Sequence, residues 1–399
     1  MNPQYFDDFM AKYNHNVYYS RAGHRAQPSV DDRASIFAPD SAQPGTVHIE
    51  TTDRVAQIRT AAMAFRLEDR WVWDFWFAQE GRLTHMFFLN APKAIGDPEQ
   101  RHWNVSIGHA VSTDLINWTE RGTALHPARS PAWDDYTTWT GSIVRTPQQR
   151  WMMFYTGTNH AGRGLVQRIG AAVSDDLHTW DRLAHNPILD IDPSWYEPLD
   201  TAMWHDQAFR DPWIFAVPND DGWHMVFTAR EPVGPAIGRG VLGHAVSHDL
   251  EHWSLRPPLF RSKVFGQMEV PQIFEHQGRW YCLFCTAKNH IEPTYCSERM
   301  SEPMTGTHYL IANHPLGEWK LVEEDFLVGD AEGSLYSGRV VHAPDGTLHF
   351  MAFLKFSKNG QFLGEISDPM PVHVLDNGRL QIDASRYGVG GPDRLVGKR

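Results

Sequence analysis

Three carboxylates stand in short, aromatic-rich stretches that lie far apart in the sequence. Asp74 is in the stretch WVWDFW, Asp211 is in FRDPW, and Glu269 is in MEVPQ. Cleavage of a glycosidic bond needs two acids: one attacks the anomeric carbon or activates water, and the other gives a proton to the leaving oxygen. If the fold brings these three side chains to one centre, they form the equipment of a sugar-cleaving enzyme.

The neighbours of the three acids suggest a role for each. Asp74 is the candidate nucleophile, and Glu269 is the candidate acid/base, whose pKa we expect to be raised by apolar surroundings and nearby negative charge. Asp211 follows Arg210, so we expect it to stay ionised and to accept hydrogen bonds from sugar hydroxyls, while Arg210 holds it or contacts the sugar. Structural ion-pair networks produce similar clusters, which is the alternative reading of these acids.

Tryptophan is abundant near these acids, in a chain with 16 Trp and 12% aromatic residues. Trp73, Trp76 and Trp139 are candidates for stacking on a furanose ring, because sugar faces are apolar and sugar sites commonly carry aromatic walls. The alternative for each of them is ordinary core packing. The sequence leaves both open.

One phrase recurs along the chain and indicates a repeated architecture. It reads GHAVSTDLINW at 108–118, GAAVSDDLHTW at 170–180 and GHAVSHDLEHW at 243–253, with a worn fourth copy at 308–319. An apolar, aromatic strand-like run precedes each copy, a further such run lies ahead of that, and no long helical periodicity competes with them. Five units of about 60–70 residues predict an all-β, five-bladed β-propeller rather than a solenoid.

The propeller assigns places to several other residues. Pro212 and Pro271 stand inside strand-like runs, and proline belongs on edge strands such as the channel-lining strand of each blade. In the repeated phrase, Ser and Asp should bond the backbone of a turn and the final Trp should pack between blades. We expect residues 61–399 to form the propeller, without a C-terminal β-sandwich, and residues 1–60 to be an extension that packs on it.

The composition excludes several classes of partner. The formal net charge is −12 and no run of Lys or Arg is present, so we expect no nucleic acid. No apolar run is long enough to span a membrane. Cys282 and Cys285 are three apart in a strand and point to opposite faces, so a redox pair or shared metal is not expected. We find no metal-ligand cluster and no phosphate-binding glycine loop, and we expect no cofactor. The first residues lack the pattern of a signal peptide, so the expectation is a cytoplasmic protein whose partner is a small neutral sugar.

The motifs resemble those of glycoside hydrolase families 32 and 68, the fructan- and sucrose-acting enzymes. The stretch around Asp74 is similar to the V-W-D-S-W of family 68 and takes the place of the W-M-N-D-P-N-G of family 32. Arg210-Asp211-Pro212 matches R-D-P in both, and Glu269-Val-Pro271 is similar to E-C-P and E-R-P. The resemblance implies that Asp74 is the nucleophile, Asp211 the transition-state stabiliser and Glu269 the acid/base. The stretch from Trp139 to Ser142, WTGS, looks like the sugar-contacting W-S-G-S.

The resemblance implies a retaining enzyme that cleaves β-fructofuranosidic bonds in sucrose or short fructosides, with water or a sugar as acceptor. Trp73 and Phe75 replace an Asn and a Pro of family 32 beside the nucleophile, and Val270 replaces a Cys or Arg. These changes bear on substrate preference more than on reaction type. Two alternatives stand beside this reading: a propeller glycosidase acting on arabinofuranose or xylose, and an inert sugar-binding propeller.

Overall fold

A computed structural model describes residues 64–299 and 303–389 of this chain, and the predicted extension at 1–60 lies outside the described residues. The described part is built of five antiparallel sheets. The first two sheets contain, in chain order, β1 (Arg70–Glu80), β2 (Leu83–Pro92), β3 (Ser106–Ser112) and β4 (Thr119–Leu125), then β5 (Thr137–Arg145), β6 (Trp151–Thr158), β7 (Arg168–Ser174) and β8 (Asp181–Arg182).

The other three sheets repeat this order of strands. They contain β9 (Phe209–Ala216), β10 (Trp223–Arg230), β11 (Gly240–Ser247) and β12 (Ser254–Arg261), then β13 (Glu269–His276), β14 (Arg279–Thr286), β15 (Thr305–Ala312) and β16 (Lys320–Asp330), then β17 (Leu335–His342), β18 (Leu348–Phe356), β19 (Phe362–Ile366), β20 (Met370–Val374) and β21 (Leu380–Ile382). In the fifth sheet β18 pairs with both β19 and β20.

Helical structure in the described residues is confined to short pieces between strands. These are one α-helix, α1 (Pro293–Arg299), and four 3₁₀ turns, Lys93–Ile95, Pro98–Trp103, Lys288–His290 and Ser385–Tyr387. None of the helical segments in this part of the chain has the length and apolar character needed to cross a lipid bilayer. The fold class is therefore all-β.

The first strands of the five sheets form a closed ring. β1 contacts β5, β5 contacts β9, β9 contacts β13, β13 contacts β17, and β17 contacts β1. The predicted five-bladed propeller is thus confirmed, with the first strand of each blade innermost. Pro212 and Pro271 lie in β9 and β13, which are edge strands of their sheets, where a missing backbone donor leaves no ladder bond unmade.

The hydrophobic core of the described residues consists of five clusters, one between each pair of neighbouring blades. Each cluster joins the apolar side chains of two adjacent sheets, as in the one that contains Trp73 and Trp76 of β1 with Met153 and Tyr155 of β6. The corresponding clusters join blades two and three, three and four, four and five, and five and one. Inter-blade packing of this kind fixes where each inner strand stands around the channel.

The repeated phrase has the structural role that the sequence predicts. Asp114 Oδ1 accepts hydrogen bonds from the backbone N–H of Ile116 at 2.9 Å and of Asn117 at 2.7 Å, and the second and third copies repeat this turn. The closing tryptophans pack between blades: Trp180 meets Phe87 of the first blade edge to face. The phrase therefore closes the turn and joins one blade to the preceding one.

Candidate active site

The five inner strands share an irregularity at the same level of the channel. Each has a β-bulge where one or two residues have no partner on the neighbouring second strand. The residues just before the bulge are Trp73, Trp139, Arg210, Glu269 and Tyr336, and the first residues within it are Asp74, Thr140, Asp211, Val270 and Ser337. Bulges re-aim side chains and are common beside active sites.

Four of the five bulge residues are non-glycine residues in the left-handed region of φ. Their φ angles are 23° at Asp74, 59° at Asp211, 53° at Val270 and 49° at Ser337. Such a conformation is unfavourable for residues with a Cβ and persists only where the surroundings enforce it. Here the closed ring of strands and the hydrogen bonds described below hold these positions.

The Asp74 carboxylate is partly exposed and is held by hydroxyls of both flanking strands. Thr140 Oγ1, on β5, donates to Asp74 Oδ2 at 2.7 Å, and Ser337 Oγ, on β17, donates to Asp74 Oδ1. Each carboxylate oxygen therefore has one fixed donor and can still offer a second lone pair. This arrangement orients a carboxylate without neutralising it, as a nucleophile requires.

Asp211 is the most buried of the three acids, with 3% of its surface exposed. Its Oδ2 accepts from Thr228 Oγ1 at 2.8 Å and from the Val270 N–H at 3.0 Å. Burial raises the pKa of Asp211 to about 6; Arg210 opposes this rise, and the charges of Asp74 and Glu269 add to it. With a pKa of about 6, Asp211 is still mostly ionised at neutral pH, which agrees with the expectation that it stays ionised, but it is a weaker acid than an ordinary aspartate.

Glu269 has the opposite electrostatic character. Arg210 Nη2 donates to its Oε1 at 2.6 Å, and the Tyr336 hydroxyl donates to its Oε2. Burial acts to raise the pKa of Glu269, but the Arg210 charge, the Tyr336 hydrogen bond and the other favourable contacts outweigh it, so the pKa is lowered. The predicted raised pKa of the acid/base candidate is thus wrong for this state of the site.

Arg210 connects three acids. Its guanidinium lies 2.6 Å from Glu269, 3.3 Å from Asp206 and 3.6 Å from Asp211, and it also donates to Gln167 Oε1 at 3.0 Å. These carboxylates raise the pKa of Arg210 above its usual value despite burial, so it remains a cation. Asp206, whose side chain is 12% exposed, is a fourth carboxylate of this cluster that the sequence did not single out.

Two of the predicted sugar-contacting aromatics stand at the level of the carboxylates. Trp73 is 2% exposed and lies edge-on to the His102 ring, with the Arg101 guanidinium 5.5 Å from its centroid. Trp139 is half-buried, and its Nε1 donates to the His102 carbonyl at 2.9 Å. The Trp103 ring lies 5.7 Å from that of Trp139. Trp139 therefore keeps part of its surface open, whereas Trp73 is enclosed by the segment at 101–102.

The predicted sugar contact of Trp76 is wrong because its side chain lies in the core, and Ser142 is also buried. Trp76 is fully buried and stacks on Phe87 in the core between the first two blades. The bulge at Asp74 shifts the alternation of β1 and turns Trp76 into that core. Ser142 is 2% exposed, and its hydroxyl has no hydrogen-bond partner among the described residues. Trp76 is therefore a core residue, whereas contact of Ser142 with a sugar stays a prediction.

The fold brings Asp74, Asp211 and Glu269 together, as the sequence predicted. The bonds run through adjacent residues: Tyr336 binds Glu269 while Ser337 binds Asp74, and Val270, which follows Glu269, binds Asp211. The sequence reading did not assign roles to Thr140, Tyr336 or Ser337. Each stands at the bulge of its inner strand, and a bulge shows in the strand register but not in the sequence pattern.

Residues 79–361 match the N-terminal domain of the glycosyl hydrolases family 32. The chain belongs to this family. Asp211 and Glu269 lie within the matched residues, and Asp74 lies just before them.

Curated relatives of this family 32 chain match about half of it. An insoluble beta-fructofuranosidase isoenzyme of Arabidopsis thaliana is 30% identical over 194 residues, which cover 48% of this chain and 32% of the relative. A fructan 6-exohydrolase of Beta vulgaris is 31% identical over 197 residues, covering 48% of this chain and 30% of the relative. The matches thus span about a third of the length of these relatives.

Solved structures share the fold with this family 32 chain at lower identity. Inulosucrase from Halalkalicoccus jeotgali, bound to kestose, superposes with a TM-score of 0.65 at 21% identity, covering 81% of this chain and 92% of the other. Bacillus subtilis levansucrase superposes with a TM-score of 0.62 at 15% identity, covering 79% and 87%. These likenesses support the propeller fold.

Proposed function

We propose that this protein is a retaining glycoside hydrolase that cleaves β-fructofuranosidic bonds of sucrose or short fructosides. The observation that carries the proposal is the convergence of Asp74, Asp211 and Glu269 at one level of the channel in a member of family 32. Relatives named beta-fructofuranosidase and fructan 6-exohydrolase point to fructosides as the substrate class.

In the proposed reaction, a carboxylate oxygen of Asp74 attacks C2 of the fructosyl unit as the bond to the leaving oxygen breaks. Glu269 gives its proton to that oxygen, and a fructosyl ester on Asp74 results. Glu269 then takes a proton from water, the water oxygen attacks C2, and the Asp74 carboxylate leaves. A sugar hydroxyl in place of water gives transfer rather than hydrolysis.

Asp211 and Arg210 act on the fructose ring in this scheme. Positive charge develops at the ring carbon in the transition state, and ionised carboxylates facing it lower its energy. Asp211 Oδ2 already accepts two protein hydrogen bonds. Its other oxygen is the one we expect to accept from a sugar hydroxyl.

The strand order supports retention over inversion. In a retaining enzyme the two carboxyl groups lie about 5–5.5 Å apart, and in an inverting one about 6.5–9.5 Å. Asp74 and Glu269 stand on β1 and β13, which are separated in the ring only by β17. Adjacent residues of β17, Tyr336 and Ser337, bind one acid each, which favours a closely spaced pair.

A substrate panel tests the proposal. The protein is incubated with sucrose, kestose, inulin, levan and an aryl arabinofuranoside, and products are followed by chromatography. Release of fructose from sucrose or kestose is expected. Release from the arabinofuranoside alone would establish the alternative glycosidase, and no release from any of the five would support an inert sugar-binding propeller.

Matched variants connect the activity to the site. Asp74→Asn and Glu269→Gln should each lower kcat by roughly 10³-fold or more, because each removes a group that acts on the reacting bond. Glu275→Gln, an exposed position on the same strand as Glu269, should stay within about twofold of the parent. With methanol as acceptor, retention predicts the methyl β-fructofuranoside, and the α-anomer would exclude it.

A further inference from the structure

Arg339 is a fully buried arginine in the innermost strand of the fifth blade, two residues beyond Ser337. Its side chain spans the space between neighbouring inner strands. Arg339 Nη1 donates to the Pro271 carbonyl on β13 at 2.7 Å, and Nε donates to the Phe75 carbonyl on β1 at 3.2 Å. Its guanidinium carbon also lies 5.1 Å from the centroid of the Trp213 ring, on β9. One side chain therefore contacts three other inner strands.

The two carbonyls that Arg339 binds are close to the acids in the sequence. Phe75 directly follows Asp74, and Pro271 is two residues after Glu269. Both stand at the bulges that aim those carboxylates. A guanidinium that binds both carbonyls thus restrains the spacing of β1 and β13 at this level, and that spacing sets the separation of the two carboxyl groups.

The surroundings of Arg339 are also unusual for a charged side chain. Its hydrogen bonds go to carbonyls, and its Nη2 has no hydrogen-bond partner within the described part of the chain. Burial lowers the pKa of Arg339 to about 10, and the charges of Asp211 and Asp74 oppose this. Arg339 is therefore still a cation at neutral pH. The bonded carbonyls place the guanidinium near both acids, because Phe75 follows Asp74, and Pro271 follows Val270, whose N–H binds Asp211.

We propose that Arg339 is a positioning residue that holds β1 and β13 at a fixed separation and supplies a buried positive charge to Asp74 and Asp211. This inference rests on the proposed function for its kinetic consequence, but its structural and electrostatic content does not. Together with Ser337 and Tyr336, it makes β17 the spacer between the nucleophile and the acid/base. It touches no reacting atom and acts through the two aspartates and the two strands.

Two substitutions separate the charge from the geometry. Arg339→Gln removes the charge and one of the two carbonyl contacts, whereas Arg339→Lys keeps the charge and loses the bridge. We expect Arg339→Gln to lower kcat more than tenfold with KM within threefold, and to move the acidic limb of the kcat/KM profile up by roughly one pH unit. Arg339→Lys should lower kcat at least fivefold and leave that limb within about 0.3 pH units.

Gln272→Leu is the matched control. Gln272 also joins β13 to β17, since its side chain bonds both the N–H and the carbonyl of Val340. It carries no charge, so its loss should lower the melting temperature without moving the acidic limb. If Arg339→Gln behaved like this control, with parental kcat and an unmoved limb, Arg339 would have only a structural role and the proposal would be overturned.

A readout independent of activity keeps the proposal distinct from the proposed function. Carboxyl-¹³C NMR of aspartate-labelled protein follows Asp211 directly, with the signal assigned by its loss in Asp211→Asn. Arg210, Asp74 and Glu269 are the other charges that face Asp211. We expect Arg339→Gln to raise the pH midpoint of the Asp211 titration and Arg339→Lys to leave that midpoint unchanged. An unchanged midpoint of the Asp211 titration in Arg339→Gln overturns the proposal. If that variant fails to fold, Arg339→Lys provides the test: a parental kcat, or a changed Asp211 midpoint, overturns the proposal.

Discussion

Replacing Asp211 by Asn should stabilise this protein while removing its activity. The carboxylate is 3% exposed and its pKa is raised from 3.8 to about 6. Both hydrogen bonds to Asp211 reach the same oxygen, Oδ2, from Thr228 Oγ1 and the Val270 N–H. The amide oxygen of Asn can accept both, so the substitution mainly removes a buried negative charge.

The magnitude follows from the linkage between protonation and folding. Because the folded pKa is above the unfolded one, the contribution of Asp211 is most favourable below pH 3.8 and is lost as the pH rises through about 6. At about 1.36 kcal/mol per pKa unit, the raised pKa of Asp211 lowers the free energy of unfolding, relative to a neutral side chain. The loss is about 3 kcal/mol at pH 8 and about 1.6 kcal/mol at pH 5. Asp211→Asn should therefore gain about 3 kcal/mol of stability at pH 8 and roughly half of that at pH 5.

Urea unfolding of the parent and the variant at pH 5 and pH 8 measures this difference. Asp134→Asn is the control, since Asp134 is a buried carboxylate whose charge is paired with Arg182 at 2.8 Å. Its replacement leaves that guanidinium without its partner and should destabilise the protein at both pH values. An Asp211→Asn variant that is less stable than the parent at pH 8, or whose gain is the same at both pH values, would refute the reasoning.

Three further outcomes are expected. Tyr336→Phe removes a hydrogen bond that lowers the pKa of Glu269, so the alkaline limb of the kcat/KM profile should move to higher pH. Gly141→Ala places a Cβ 1.9 Å from the Phe154 carbonyl oxygen, and the strain should lower the free energy of unfolding in urea by about 3 kcal/mol. Burial lowers the pKa of His109 from 6.5 to about 3, so stability is lost as the pH falls below 6.5; His109→Gln should retain more of its pH 7 melting temperature at pH 5.

Each of these three predictions is contradicted by a specific result. An alkaline limb that stays in place would mean that the Tyr336 hydroxyl does not tune Glu269. A Gly141→Ala variant as stable as the parent would mean that the inner strand can move away from its neighbour. If His109→Gln loses as much stability as the parent between pH 7 and pH 5, other groups dominate the acid sensitivity.

The sequence predicted the architecture because the architecture is repeated. The phrase that ends at Trp118, Trp180 and Trp253 marks the blades without any knowledge of three-dimensional contacts. The proline after Asp211 and the one two residues after Glu269 indicated edge strands, and the inner edge strand of each blade faces the channel. Local patterns of this kind are readable because they report on backbone geometry near the residue itself.

The roles of Ser337, Tyr336 and Arg339 were not readable for the opposite reason. Ser337 meets Asp74 across 263 positions of sequence, and Tyr336 meets Glu269 across 67. Each contact depends on a bulge that re-aims a side chain, and a bulge leaves no periodic signal. The error at Trp76 has the same origin, since one extra residue in a strand reverses which face a side chain occupies.

The ionisation of Glu269 links the site to the reaction it is proposed to perform. A general acid must carry a proton, yet Arg210 and Tyr336 hold the pKa of Glu269 low. A glycosidic oxygen that approaches Glu269 Oε1 meets the guanidinium of Arg210, which contacts that oxygen at 2.6 Å. When a sugar hydroxyl competes for Arg210, the main force that lowers the pKa is weakened and burial raises it. Binding of a fructoside to Asp74→Asn should therefore take up a proton near neutral pH. Calorimetry in buffers of different ionisation enthalpy measures that uptake, and binding without it would mean that Glu269 is not the acid.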